Sequence, residues 1–267
     1  MTRNTPMKVD PNEMVERYCR NWDGATPYAR ATIVHTDGAT AAKVGAKAVV
    51  TSDGTLIGWI GGGCIRGAVL RAARQAMDAA VPRLIRVRPK AEVAARFDSD
   101  GVEIHPSGCP GRGRADVFIE PVMPKPPLVI IGASHTAYAL ADMAAGLSVE
   151  IVPVEGGANN AIPSALHRLH GLDHGFIVIA TQGAGDHAAL TAALATDTPY
   201  VAFIASRAKV AAIRERLAAE GVSEAALARL RSPAGLSIGA KTPAEIAIAV
   251  LAEIISLRQA AAKEGQS

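Results

Sequence analysis

The sequence predicts two α/β domains, a mixed α/β one followed by a Rossmann-like domain with a doubly wound parallel sheet. Three observations predict this. The chain has 267 residues, more than one domain of ~100–200 residues usually holds. A proline-rich run, P-V-M-P-K-P-P, spans Pro121 to Pro127, and proline neither donates to a strand ladder nor continues a helix. Beyond it, short apolar runs alternate with helical patterns. The expected division is residues 1–120, a linker at 121–127, and residues 128–267.

In the first domain, Met14–Trp22 reads as a short helix. Ala31–Thr36, Ala46–Thr51 and Leu56–Ile60 read as strands, and Asp53-Gly54 between two apolar runs is a hairpin signal. Gly61-Gly62-Gly63-Cys64 follows. Then Ile65, Ala68, Val69, Ala72, Ala73 and Ala76 recur at helical spacing. Leu84–Val87 and Val117–Glu120 read as further strands. Arg86, Arg88 and Lys90 alternate on one face, as a solvated strand edge or an anion-docking patch.

In the second domain, Leu128–Ile131, Val149–Val154, Phe176–Ala180 and Tyr200–Ile204 read as strands. Thr136–Ala145, Asp186–Ala195, Arg207–Glu220 and Pro243–Arg258 read as helices.

Composition narrows the function. Net charge is +3 with scattered basic residues, too weak a balance to argue for nucleic acid. The apolar runs fall short of ~20 residues, so no membrane-spanning helix is expected, and the first residues show no apolar signal region. The cysteines, Cys19, Cys64 and Cys109, are odd in number and lack a CxxC. That fits a reducing, cytoplasmic setting better than a disulfide framework.

Cys64 is the most pointed residue. It sits where a strand turns into a helix through Gly61, Gly62 and Gly63. Glycine lets backbone approach a ligand, and helix-start amides bind anions. A thiol there is expected to favour the thiolate, a nucleophile and soft metal ligand. Arg66 stands near enough to neutralise an anion. The structural alternative is a tight turn beside an inert buried cysteine. Cys19 reads as packing, and Cys109 sits in a Gly/Pro loop.

In the second domain, ligands are expected at the strands' carboxyl ends. Gly132-Ala133-Ser134-His135-Thr136-Ala137 is a weakened dinucleotide fingerprint. Gly132 holds the first glycine position, Ser134 replaces the second, and Glu155 falls where a ribose-binding acid belongs. Gln182, Gly183 and Asp186 form a second loop, Asp186 serving alternatively as a helix cap. Ser206 and Arg207 form a third, where an arginine could grip phosphate or simply be solvated. Lys241 precedes Thr242, Pro243 and Glu245, which read as a capping box. His167, His170 and His174 are suggestively spaced, but His170-Gly171 reads as a helix end, so no firm metal cluster emerges.

Four stretches resemble one family: G-A-K-A-V-V at Gly45–Val50, G-W-I-G-G-G-C at Gly58–Cys64, D-V-F-I-E-P-V at Asp116–Val122, and S-P-A-G-L-S-I-G-A-K-T-P-A-E-I-A at Ser232–Ala247. Together they resemble the XdhC/CoxI/CoxF family of molybdenum hydroxylase accessory proteins, over about Ala31 to Arg258. The resemblance implies a chaperone that transiently binds the molybdenum cofactor, as molybdopterin or its cytosine dinucleotide form. It implies assistance in the cofactor's maturation and insertion into an apo molybdenum hydroxylase, with cofactor-sulfurating or cofactor-synthesis enzymes as further partners and a homodimer as the assembly. Cys64 matches the family's cysteine, as the residue facing the metal or relaying sulfur. Gly132, Gln182, Gly183, Asp186, Ser206 and Arg207 match loops of its Rossmann half. Asp37-Gly38-Ala39-Thr40-Ala41, Arg66, Ser134 and Ala205 depart from the family pattern and lean towards the CoxF-like branch, which serves carbon-monoxide-dehydrogenase-like enzymes. The alternative from a different class is an NAD(P)-dependent oxidoreductase.

Overall fold

The computed structural model describes residues 10–108, 112–155, 161–183 and 185–264. The chain separates into two compact units between Pro124 and Lys125.

The first unit is a six-stranded sheet with one helix on each face. Its elements are α1 (Pro11–Arg20), β1 (Tyr28–Asp37), β2 (Lys47–Thr51), β3 (Leu56–Gly58), α2 (Gly63–Ala79), β4 (Arg83–Pro89), β5 (Glu103–Ser107) and β6 (Arg114–Val122). The strand order is β3-β2-β1-β6-β4-β5. Every neighbouring pair is antiparallel except β4 and β5. Alternation sorts the faces. Ala29, Ala31, Ile33, Ile85, Val87, Ala115, Val117 and Ile119 pack against α2. All six apolar positions that the sequence marks on α2 are buried, and its alanines let the helix lie close to the sheet. On the other face α1 buries Val15 against Tyr28 and Val49, with Tyr18 and Trp22 edge-on to the Tyr28 ring at 5.4 and 5.3 Å.

The basic strand differs from expectation. β4 is no edge: it lies between β6 and β5. Arg86 pairs with Asp98 and lies 3.4 Å from Asp100 and 3.9 Å from Asp116. Arg88 reaches Asp116 at 2.6 Å. Carboxylates thus occupy the two guanidinium groups that were candidates for an anion. β5 is missing from the sequence reading. The proline run is strand at both ends, since β6 continues through Val122 and the next strand begins at Pro127.

The second unit is a five-stranded parallel sheet of the Rossmann type. Its elements are β7 (Pro127–Ile131), α3 (His135–Ala144), β8 (Glu150–Val154), α4 (Ala161–His167), β9 (Phe176–Ile179), α5 (Asp186–Leu194), β10 (Tyr200–Phe203), α6 (Arg207–Ala219), α7 (Glu224–Ala228), β11 (Leu230–Arg231) and α8 (Pro243–Glu264). The order is β11-β10-β9-β7-β8, and all pairs are parallel. β7, β9 and β10 are buried at every position, as parallel strands covered on both faces must be. Helices α4, α5, α6 and α7 cover one face; α3 and α8 cover the other. The chain adds β8 on one side of β7 and then β9 on the other. The topological switch point therefore lies between the carboxyl ends of β7 and β9. No helix among the described residues is long and apolar enough to cross a membrane.

Candidate functional site

In the first unit the glycine turn ends β3 and starts α2. Gly58 and Gly61 have internal reasons to be glycine. Gly58 adopts φ +94°, and a Cβ there would lie 2.7 Å from Val15 and 2.8 Å from the Lys47 carbonyl oxygen. Gly61 adopts φ +109°, and a Cβ there would lie 3.2 Å from Ala42 and from Ile65. Gly62 and Gly63 have none. Neither has a positive φ, and a Cβ on either would meet nothing within 4 Å. Gly62 is the N-cap of α2 and supplies no side-chain bond. The first turn of this 17-residue helix thus starts without a side-chain cap, the condition under which amides carry partial positive charge.

Cys64 follows at the second helical position, half-buried, while Ile65 turns into the core and Arg66 is exposed. The loop after β1 packs on the same turn through Ala42. That loop also meets Gly113, where a Cβ would lie 2.6 Å from the Ala39 oxygen and from Thr40. The β1 end is pinned by Arg114, which bonds Asp37 at 2.5 Å and Glu92 at 2.8 Å. Cys109 lies outside the described residues.

In the second unit the loops gather at the sheet's carboxyl edge. Gly132 adopts φ +119°, and a Cβ there would lie 2.5 Å from the Ala180 carbonyl oxygen. Ser134 is buried as the N-cap of α3 and accepts from the Ala137 amide at 3.1 Å. His135 is exposed beside it. Ser206 caps α6, accepting from the Lys209 amide at 3.4 Å, and Arg207 is exposed.

Asp186 departs from the capping alternative. Gly185 is the N-cap of α5, and the Asp186 carboxylate reaches back to accept from Gly183 N–H at 3.1 Å and from the Thr181 hydroxyl. Lys209, on α6, pairs with its other oxygen. Gln182 is held at φ +52°, a left-handed conformation uncommon for a residue with a side chain. Lys209 is a charged residue of this loop cluster that the sequence reading missed.

At the start of α8, Glu245 accepts from the Lys241 and Thr242 amides at 2.8 and 2.9 Å, and Thr242 accepts from the Glu245 amide at 3.3 Å. The capping box forms. It occupies the Lys241 and Thr242 amides, leaving the exposed Lys241 side chain as the local positive charge.

His167 and His170 line an open groove of about 1060 Å³ between α4 and α5. His187, also on its wall, bonds Glu220 at 2.6 Å. Among the described residues no group of three or more His, Cys, Asp or Glu is placed to hold a metal ion.

Comparison with known proteins follows the same division. A model described as "XdhC and CoxI family" matches residues 22–88, and one described as "XdhC Rossmann domain" matches residues 128–254. The uncharacterized protein YqeB of Escherichia coli K12 is 34% identical over 248 residues, 87% of this chain and 44% of its own. The chain thus spans less than half the length of that relative. A crystal structure described as a xanthine dehydrogenase from Bacillus halodurans is 20% identical, with 94% of this chain and 96% of that chain covered and a TM-score of 0.44.

Proposed function

The chain belongs to the XdhC and CoxI family, and on that footing we propose that it is an accessory protein of molybdenum hydroxylases that carries the molybdenum cofactor to them. The observation that carries this reading is the glycine turn. Gly62 and Gly63 answer to no steric or dihedral demand within the described residues, yet they immediately precede Cys64 at a helix start without a side-chain cap. Bare backbone beside a sulfur suits a bulky anionic ligand whose metal centre accepts thiolate sulfur.

When bound, the cofactor supplies a metal–dithiolene centre and an anionic tail. Cys64 is the residue proposed to face the metal or to relay sulfur. Gly61 shapes the turn; Gly62 and Gly63 leave room; the exposed Arg66 balances negative charge. Within the second unit by itself, Gly132, Ser134, His135, Gln182, Gly183, Asp186, Ser206, Arg207 and Lys241 are the residues proposed for cofactor binding, the cofactor being molybdopterin or its cytosine dinucleotide form. Clients are apo molybdenum hydroxylases of the xanthine- or carbon-monoxide-dehydrogenase type, and the sequence departures favour a CoxF-like role.

The dinucleotide-dehydrogenase reading finds less support. Ser134 fills the position where a second glycine would admit a pyrophosphate, and its hydroxyl is engaged by the Ala137 amide.

Purification from a molybdenum-replete host, with metal analysis and mass spectrometry of the released ligand, tests the proposal. The expected result is a molybdopterin-type ligand retained by the wild type and depleted in Cys64→Ser. A well-folded wild type carrying neither pterin nor molybdenum, and not activating an apo hydroxylase, overturns it.

A further inference from the structure

Asp186 is 5% exposed and gathers three donors. Oδ1 accepts from the Thr181 hydroxyl and the Gly183 amide, and Oδ2 pairs with the Lys209 ammonium. Burial pushes the carboxyl up, but the hydrogen bonds from Lys209, Thr181 and Gly183 outweigh it and hold Asp186 below its ordinary value. The Asp186 carboxyl is therefore ionised at neutral pH.

The Lys209 side chain nevertheless stays 42% exposed. A Cβ on Gly183 would lie 3.8 Å from its ammonium, so the charge stands directly beside bare backbone. Gly183 has φ +107° and follows the left-handed Gln182. The ammonium also lies 5.8 Å from the centre of the Phe203 ring, which holds it between the ends of β9 and β10. Gly132 packs against Ala180 and Thr181, so the start of α3 borders the same loop. The loop from Thr181 to Gly183 borders the switch point between β7 and β9, and Lys209 stands on that loop's other side, along the same edge where open parallel sheets admit ligands.

We propose that Lys209 is a phosphate-binding residue and that Asp186 is its built-in counter-ion. The carboxylate, held in place by Thr181 and Gly183, neutralises the ammonium and masks it until a phosphate group competes for it. A part-exposed ammonium beside bare backbone suits a phosphate ester or pyrophosphate. A neutral ligand would gain nothing from the charge. The inference deepens the carrier reading and rests on it for the phosphate-bearing tail.

The test is calorimetric titration of the full chain at low salt with inorganic pyrophosphate, with CMP, and with cytidine as the phosphate-free control. Asp186→Asn is the decisive variant, because its amide oxygen still accepts from Gly183 and Thr181 while the charge is gone. Pyrophosphate or CMP is expected to bind it roughly tenfold more tightly than wild type, and Lys209→Met more weakly by a similar factor. Lys209→Arg, which keeps the charge, guards against a folding defect. Preference for CMP identifies a nucleotide tail, and preference for pyrophosphate a free one; both support the proposal. Weaker or unchanged binding by Asp186→Asn, cytidine binding as well as CMP, or no phosphate binding by any form overturns it. If those titrations fail while the purified chain still carries a pterin, the Lys209 assignment alone falls. If they succeed on a chain that carries none, the carrier reading alone falls.

Discussion

The Ala180 carbonyl oxygen occupies the space that a side chain at Gly132 would need, 2.5 Å from its Cβ position. The glycine that opens the weakened fingerprint is therefore required by the neighbouring strand's exit. Gly132→Ala must relieve both that clash and φ +119°. It is expected to cost about 3 kcal/mol, read as a lower denaturant midpoint with no ligand present.

Gly62→Ala and Gly63→Ala are expected to behave in the opposite way. Neither meets a neighbour nor holds a positive φ, so stability is expected to move by less than about 1 kcal/mol, with Ala at Gly63 slightly favourable inside the helix. On the carrier proposal, retention of a pterin ligand is expected to fall. Thermal melts beside mass spectrometry of the bound fraction check the pair of outcomes.

The acid limb of stability carries a contribution from Asp186. Its folded value is depressed, so the stabilisation is present above the ordinary carboxylate range, about pH 4, and is lost as pH falls through the folded value. Urea midpoints measured at neutral pH and at about pH 3 are expected to fall less in Asp186→Asn than in wild type.

His105 adds a second slope at higher pH. It is 6% exposed, and Nε2 has no hydrogen-bond partner among the described residues, with Glu103 3.8 Å away. Burial pushes the imidazole down from 6.5, only partly offset by Glu103. Its stabilisation is full above about pH 6.5 and is lost as pH falls through the lowered folded value. His105→Gln is expected to flatten that part of the pH profile of unfolding.

Arg86 tests the reassigned basic strand. It joins Asp98, Asp116 and the more exposed Asp100, so Arg86→Met removes the cation that the part-buried Asp98 and Asp116 carboxylates share. A loss of roughly 2 kcal/mol is expected, with recovery in Arg86→Met/Asp116→Asn. An anion-docking role would instead change ligand binding and leave stability alone.

Elements whose pattern is local were legible in the sequence. The α2 stripe from Ile65 to Ala76, the capping box at Thr242 and Glu245, and the apolar strands of the parallel sheet all declare themselves by spacing. β5 did not, because its inward face is polar, Glu103, His105 and Ser107, and Pro106 interrupts it. Short α7 and β11 offer too few residues to show a period, while α4 was legible only by its end, read at His170-Gly171 and found at His167. Arg86 reads as open because its acidic partners Asp98 and Asp100 lie on a loop far along the chain. Lys209 was missed for the same reason: its meaning comes from Asp186, on another helix. The glycine turn was visible, but only coordinates separate Gly58 and Gly61, which the fold requires, from Gly62 and Gly63, which it does not.

The fully enclosed strands β7, β9 and β10 have an evolutionary corollary. Their side chains are committed to the interior on both faces, so selection for a new cargo has almost nothing to work on there. Diversification must proceed through the short segments beyond their last residues, where one exchanged side chain alters what is held without disturbing what holds it. Orthologues with different partners should then diverge first at exposed positions such as His135, Gln182 and Arg207, on an interior that stays the same.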